Sequence, residues 1–160
     1  MSLLNPGDRF PELTVTPVGA APLQLPDALA GDFAAVLVYR GSWCPYCSGQ
    51  LRAFQRAKDT LAEAGVKVVA LSVDDEPTTK ALVDKLRLDF PVGHSADARA
   101  IAAATGAFVN EEPLFLQSTG FVLDPQGRVV VSVYSSGAIG RLVPEDVVGL
   151  VRNVRQRAGS

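Results

Sequence analysis

The sequence predicts an α/β domain with a mixed central β-sheet flanked by helices, and three features carry that reading. A continuous apolar run at residues 33–39, and a mostly apolar one at 66–72, have the length of strands buried in a sheet. Between and after them apolar residues recur at helical spacing, so strands alternate with helices along most of the 160 residues. Towards the end, two strand-like segments flank Asp124-Pro125-Gln126-Gly127. Proline at i+1 and glycine at i+3 suit a type I turn, which adds an antiparallel hairpin to the alternating pattern.

From the N-terminus, the polar, proline-containing residues 5–26 hold two short strand-like pieces, 13–16 and 23–25, around Gly19, which predicts an N-terminal β-hairpin. The run 33–39 is the first central strand. A helix is predicted from Pro45 to about Ala64, with Leu51, Phe54, Ala57 and Leu61 on one face and Gly65 as its stop. A second central strand follows at 66–72. Residues 77–88 read as a helix with Leu82, Val83 and Leu86 inward, and 90–92 as a short strand. Residues 97–105 form the next predicted helix, capped by Asp97 or Ser95 and ended by Gly106. The hairpin strands are 120–123 and 128–134. The last helix opens at Pro144-Glu145-Asp146, where proline and acids suit a first turn, and carries Val147, Val148, Leu150 and Val151. With no repeat and no long linker, a single domain over residues 1–160 is expected.

A hydrophobic share of 48% and a mean hydropathy of +0.19 allow a sizeable core without metal or disulfide staples. The 15 basic and 17 acidic residues are well mixed, with a net charge of −2, so neither a nucleic-acid stripe nor a polybasic membrane patch is present. Arg152, Arg155 and Arg157 cluster at the end of the last helix, where cations complement the helix dipole and a solvated surface is expected. Residues 1–10 carry no basic or apolar targeting pattern, and no run of eighteen apolar residues occurs, so no membrane partner and a cytoplasmic location are expected.

Both cysteines of the chain, Cys44 and Cys47, fall three positions apart in Tyr39-Arg40-Gly41-Ser42-Trp43-Cys44-Pro45-Tyr46-Cys47, directly after the first central strand. Thiols at i and i+3 can close a small disulfide ring if the second lies in the first turn of a helix, and Pro45 suits its first position. A thiol at the cap faces free N–H groups and the positive end of the dipole, which lowers its pKa into the range of roughly 3.5–7.5. A zinc site needs more soft donors than two cysteines and the single imidazole of His94, and a c-type haem would need histidine where Ser48 stands. Dithiol redox chemistry, without a cofactor, is the expected use. Asp74 and Asp75 after a strand read as caps or turn formers, and His94 as a surface or satisfied histidine.

The order of elements around Trp43-Cys44-Pro45-Tyr46-Cys47 resembles the thioredoxin fold. Asn5-Pro6-Gly7-Asp8-Arg9-Phe10-Pro11, Val69-Ala70-Leu71-Ser72-Val73-Asp74, Phe90-Pro91 and Gly120-Phe121-Val122-Leu123-Asp124-Pro125-Gln126-Gly127 resemble landmarks of peroxiredoxins. Together they resemble the peroxiredoxin-like branch of the alkyl hydroperoxide reductase and thiol-specific antioxidant family, with an Arg-Gly-x-Trp-Cys-Pro-x-Cys stretch in place of the usual loop.

The resemblance implies two assignments of the nucleophile. Matched to thioredoxin, Cys44 attacks and Cys47 resolves; matched to the peroxiredoxin loop Pro-x-x-x-Thr-x-x-Cys, Cys47 is the peroxide-reactive cysteine, with Arg40 for the proline and Cys44 for the threonine. The peroxiredoxin arginine falls on Ser118, and Arg40 is the expected substitute cation. The thioredoxin carboxylate falls on Val38 and its cis-proline on Ser118, with Pro113 too early to replace it, so trans peptides are expected around Ser118. Trp43, Pro45 and Tyr46 are the expected docking surface, and Thr119 a backbone contact for a bound thiol or a simple strand start. The implied function is a thiol-dependent peroxidase; a general disulfide reductase led by Cys44, or a redox-sensing module, are the alternatives. The implied partners are a peroxide or small disulfide and a thiol reductant such as a thioredoxin or glutathione system, and the resemblance admits a homodimer.

Overall fold

The computed structural model describes residues 3–158, so the two outermost positions at each end of the expected 1–160 domain lie outside the described residues. The N-terminal hairpin forms from β1 (Leu13–Val15) and β2 (Leu23–Leu25), paired antiparallel with Leu13 opposite Leu25. The first central strand is β3 (Phe33–Val38), every residue of it buried. It pairs in parallel with β4 (Val66–Leu71), Phe33 opposite Val66 and Val38 opposite Leu71. On its other side it pairs antiparallel with β8 (Thr119–Leu123). Two edge strands, β5 (Val92–Gly93) beside β4 and β9 (Val129–Tyr134) beside β8, complete a mixed five-stranded sheet in the order β5-β4-β3-β8-β9.

Period-2 alternation along β3 divides the interior into two cores. Ala35, Leu37 and Tyr39 join Cys44, Cys47, Leu51, Phe54 and the inward residues of the last helix on one face. Ala34, Val36 and Val38 join Phe10, Val15, Leu25, Ile101 and Phe121 on the other. Full burial of each such Val, Leu or Phe contributes about 1.5–3 kcal/mol. Both sulfurs therefore belong to a packed core at the C-terminal end of the central strand, the edge at which open α/β sheets gather their chemistry.

The helix expected over 45–64 is two helices, α1 (Pro45–Arg56) and α2 (Lys58–Glu63), separated at Ala57, which leaves helical geometry at φ −91° and ψ 10°. No proline or glycine marks the break; Leu61 and Ala64 beyond it both reach the core below β4. Helix α3 (Glu76–Leu86) is capped by the Asp75 carboxylate, which accepts the Thr78 N–H at 2.9 Å, and ends at Arg87 in the left-handed region. The strand expected at 90–92 sits later, at Val92–Gly93, where Val92 meets Ala70. Gly93 is required there, since the Val15 side chain stands 2.5 Å from where a Cβ would be. Helix α4 (Ala98–Thr105) is capped by Asp97 rather than Ser95 and closed by Gly106 at φ 86°.

A short hairpin of β6 (Val109–Asn110) and β7 (Phe115–Leu116) has no counterpart in the sequence reading, because two-residue strands carry no periodicity. The turn at 124–127 closes with the Gly127 N–H on the Asp124 carbonyl at 2.9 Å. Helix α5 (Pro144–Ala158) buries Val147, Val148 and Val151, with Leu150 half-buried. Arg155 is not merely solvated: its guanidinium lies 5.1 Å from the Phe33 ring centroid. Cis peptide bonds are Leu25–Pro26 and Glu112–Pro113, and the peptides around Ser118 are trans. Among the described residues no helix is long and apolar enough to cross a membrane.

Candidate active site

Cys44 is the N-cap of α1, in extended geometry at φ −90° and ψ 114°, with Pro45 in the first turn. Its sulfur accepts the Cys47 N–H at 3.3 Å, satisfying one of the donors that a helix start leaves free. Cys47 Sγ accepts the backbone N–H of Arg40 at 3.3 Å, so the loop leaving β3 folds back over the first turn. Both cysteines are 0% exposed. That loop is tied to the end of β4 by the Asp74 carboxylate, which accepts the Ser42 N–H at 2.8 Å. Asp74 is therefore an anchor of the dithiol loop, while its neighbour Asp75 is the helix cap.

Two guanidinium groups converge on the sulfurs. Arg40 Nη1 lies 3.7 Å from Cys44 Sγ, and its Nε donates to Gln117 Oε1 at 2.9 Å. The same guanidinium packs 4.9 Å from the Trp43 ring centroid and 5.1 Å from that of Phe115. Such cation–π contacts contribute about 0.5–2 kcal/mol each, according to how far they are desolvated. A Cβ at Gly41 would collide with the Trp43 indole, so glycine is what lets the ring lie there.

The second cation, Arg141, was invisible to sequence reasoning. Its Nη2 donates to Cys47 Sγ at 3.2 Å, stands 3.7 Å from Cys44 Sγ and donates to the Ala138 carbonyl at 2.8 Å. Nη1 donates to Gln50 Oε1 at 3.1 Å, and Gln50 Nε2 in turn donates to the Leu142 carbonyl at 3.0 Å. Gln50, buried one turn beyond Cys47 on α1, thus locks residues 138–142 over the dithiol. Arg141 lies 94 residues from Cys47, and no local pattern links the two. Gln50 did carry a signal, an amide at i+3 from Cys47 beside the apolar Leu51 and Phe54.

Trp43 and Tyr46 are each 55% exposed and flank Cys44, with Pro45 exposed between them. Thr119 is buried inside β8, paired on both sides, and its hydroxyl donates to the Gln117 carbonyl at 3.0 Å, which is the strand-start arrangement. His94 lies apart, its Nδ1 2.9 Å from Ser95 Oγ and its Nε2 3.4 Å from Glu76 Oε2. Behind the dithiol, burial drives the Tyr39 phenol up to about 12. Its hydroxyl stands beside Ser72 and Thr79 without hydrogen-bond geometry to a partner.

Burial works against ionisation of Cys44, but the Cys47 thiol, the Cys47 N–H, the Arg40 guanidinium and the Arg141 charge together hold its pKa below the ordinary thiol value. Burial pushes the Cys47 thiol up, and its hydrogen bond to the Cys44 sulfur raises it further, against the Arg40 N–H and the Arg141 charge. Cys44 is therefore the more readily ionised sulfur of the pair and Cys47 the one that holds its proton longer, so the two thiols titrate as a unit. Ultraviolet thiolate absorbance of the reduced protein should accordingly rise in two separated steps, one below and one above the ordinary thiol pKa. Cys47→Ser should retain the lower step, and a single step at the ordinary value for both thiols would contradict this coupling.

The similar proteins carry consistent names. The chain is 28% identical over 155 residues to a peroxiredoxin of Methanothermobacter thermautotrophicus, covering 93% of this chain and 72% of that protein. It is 29% identical over 163 residues to alkyl hydroperoxide reductase C of Mycolicibacterium smegmatis, covering 91% and 82%. Among solved structures, peroxiredoxin 6 of Arenicola marina superposes with a TM-score of 0.84 at 16% identity over 97% of this chain and 75% of that one. AhpC of Mycobacterium tuberculosis gives 0.81 at 19% identity, over 98% and 96%. These structural likenesses establish a thioredoxin-like peroxiredoxin fold. Residues 6–132, most of the chain and including the whole dithiol motif, match the AhpC/TSA family, and the chain belongs to that family.

Proposed function

We propose that this thiol oxidoreductase reduces peroxides with Cys47 as the peroxide-reactive sulfur and Cys44 as the resolving one. The observation that carries the reading is the donor cradle at Cys47, the Arg40 N–H at 3.3 Å and Arg141 Nη2 at 3.2 Å. Donors fixed in place before the reaction favour the charge that develops on the peroxide oxygens. As Cys47 attacks, the Cys44 thiolate takes its proton; the sulfur bonds the terminal oxygen, the O–O bond breaks, and the departing alkoxide or hydroxide takes that proton from Cys44. Cys44 then returns to the thiolate and attacks the Cys47 sulfenic acid, forming the disulfide and releasing water once hydroxide takes a proton. Two external thiol equivalents restore the dithiol.

The proposed reductant is a thioredoxin- or glutathione-type thiol docking over Trp43, Pro45 and Tyr46, whose exposed rings suit an interface anchor. A reducing compartment such as the cytoplasm fits a centre that thiols must regenerate. A second reading, disulfide exchange led by Cys44, is favoured by the lowered Cys44 pKa. Trapping the sulfenic acid with a dimedone-type reagent after one peroxide pulse, followed by peptide mass spectrometry, separates the two. The adduct is expected on Cys47; an adduct on Cys44 alone, or slow peroxide oxidation beside rapid reduction of small disulfides, would favour the second.

A further inference from the structure

The segment from β7 to β8 contributes two buried side chains to the redox centre that the chemistry above does not use. Phe115, 7% exposed, stands in β7 and meets Trp43 edge-to-face at 5.0 Å and 71°. Gln117, 8% exposed, is held between β7 and β8 by its own N–H on the Phe108 carbonyl at 2.9 Å. Its amide oxygen accepts Arg40 Nε at 2.9 Å, and the Phe115 ring lies 5.1 Å from the same guanidinium. Arg40 is thus held at Nε by an amide with two rings packed beside its guanidinium, and Nη1 lies 3.7 Å from Cys44 Sγ.

The two sides of this grip are unequal. Trp43 is 55% exposed, on the loop proposed above to receive a reductant. Phe115 and Gln117 are set in the hairpin and the sheet. An arginine side chain has many rotamers to lose, and a guanidinium free to swing into water would leave the Cys44 sulfur without its nearest cation on that side.

We propose that Phe115 and Gln117 are positioning residues for the thiol chemistry, fixing the Arg40 guanidinium on Cys44 so that Cys44 carries the thiolate and closes the disulfide. The closing step, which rests on the function proposed above, joins the Cys44 and Cys47 sulfurs, breaks the S–O bond of the Cys47 sulfenic acid, and releases hydroxide that is protonated to water. A purely structural role for either residue would change unfolding without moving the thiol titration.

The test reads thiolate absorbance against pH in the reduced full-length protein for wild type, Gln117→Met, Phe115→Leu, Phe115→Tyr and Arg40→Met. The first ionisation is expected to rise towards the ordinary thiol range in Gln117→Met, Phe115→Leu and Arg40→Met. Phe115→Tyr keeps the ring and is expected to titrate as wild type. Disulfide closure after a single peroxide pulse at neutral pH should slow about tenfold in the shifted variants, the change in thiolate fraction carried by one pH unit. Wild-type titration in both Gln117→Met and Phe115→Leu would overturn the clamp, and so would an unshifted Arg40→Met. The titration uses no peroxide, so a sulfenic acid found on Cys44 would remove the reading of Cys47 as peroxide-reactive while leaving the clamp to stand or fall on its own result.

Discussion

Cys47→Ser is expected to lose peroxide-driven oxidation down to the uncatalysed rate, whereas Cys44→Ser should complete the first step and stop at the sulfenic acid. A serine hydroxyl at position 47 would sit under the same two donors, but it lacks the thiolate nucleophile that the reaction needs. In Cys44→Ser the attacking sulfur is present but loses both its base and its resolving partner, so the first step is slower than in the wild type and the oxidised species accumulates instead of closing. The one tryptophan, Trp43, lies beside the motif, and its fluorescence in a stopped-flow mixing experiment reports both steps in the wild type. Rapid oxidation surviving in Cys47→Ser would transfer the nucleophile to Cys44.

Arg141→Met should reduce the second-order rate of peroxide oxidation by about 10²–10³-fold, the loss that removal of one preorganised oxyanion donor produces. The substitution keeps an unbranched apolar stem of similar length and deletes the group that touches Cys47 Sγ, Cys44 Sγ, Gln50 and Ala138. Unlike Cys47, Arg141 is not required to form a covalent bond, so the residual reaction should still place the sulfenic acid on Cys47. Peroxide-rate measurement at a pH where the thiolate is fully formed separates lost transition-state stabilisation from lost ionisation. An unchanged rate there would confine Arg141 to closing the 138–142 segment over the core.

Most of the central sheet was legible because β3 is a continuous apolar run buried on both faces and β4 is apolar but for Lys67, and because Gly65, Gly106 and Asp97 mark element ends chemically. The break at Ala57 was not legible, since an alanine between two helical stretches has no local reason to leave helical geometry. In the site, Cys44, Cys47 and Arg40 lie within one loop and its first helical turn, and their spacing carried the chemistry. Arg141, Gln117 and Phe115 arrive from distant segments that only tertiary packing brings together. Asp74 shows the limit of a local reading: next to the cap Asp75 it looked like another turn former, while its carboxylate bonds to Ser42 across two strand ends.

The position of the resolving sulfur inside the same helical turn also bears on survival under heavy oxidant load. A sulfenic acid that waits for its partner can meet a second peroxide and pass to the sulfinic acid, which thiols do not restore. In the reduced protein Cys44 already shares Arg141 Nη2 with Cys47 and accepts the Cys47 N–H, an arrangement that favours closure within the first turn of α1. Well-oriented intramolecular reactions reach effective molarities on the order of 10⁵ M or more, far above any cellular peroxide concentration. With Cys47 as the peroxide-reactive sulfur, disulfide formation is expected to outrun irreversible inactivation, so repeated peroxide turnover should leave little sulfinic acid on Cys47 by mass spectrometry.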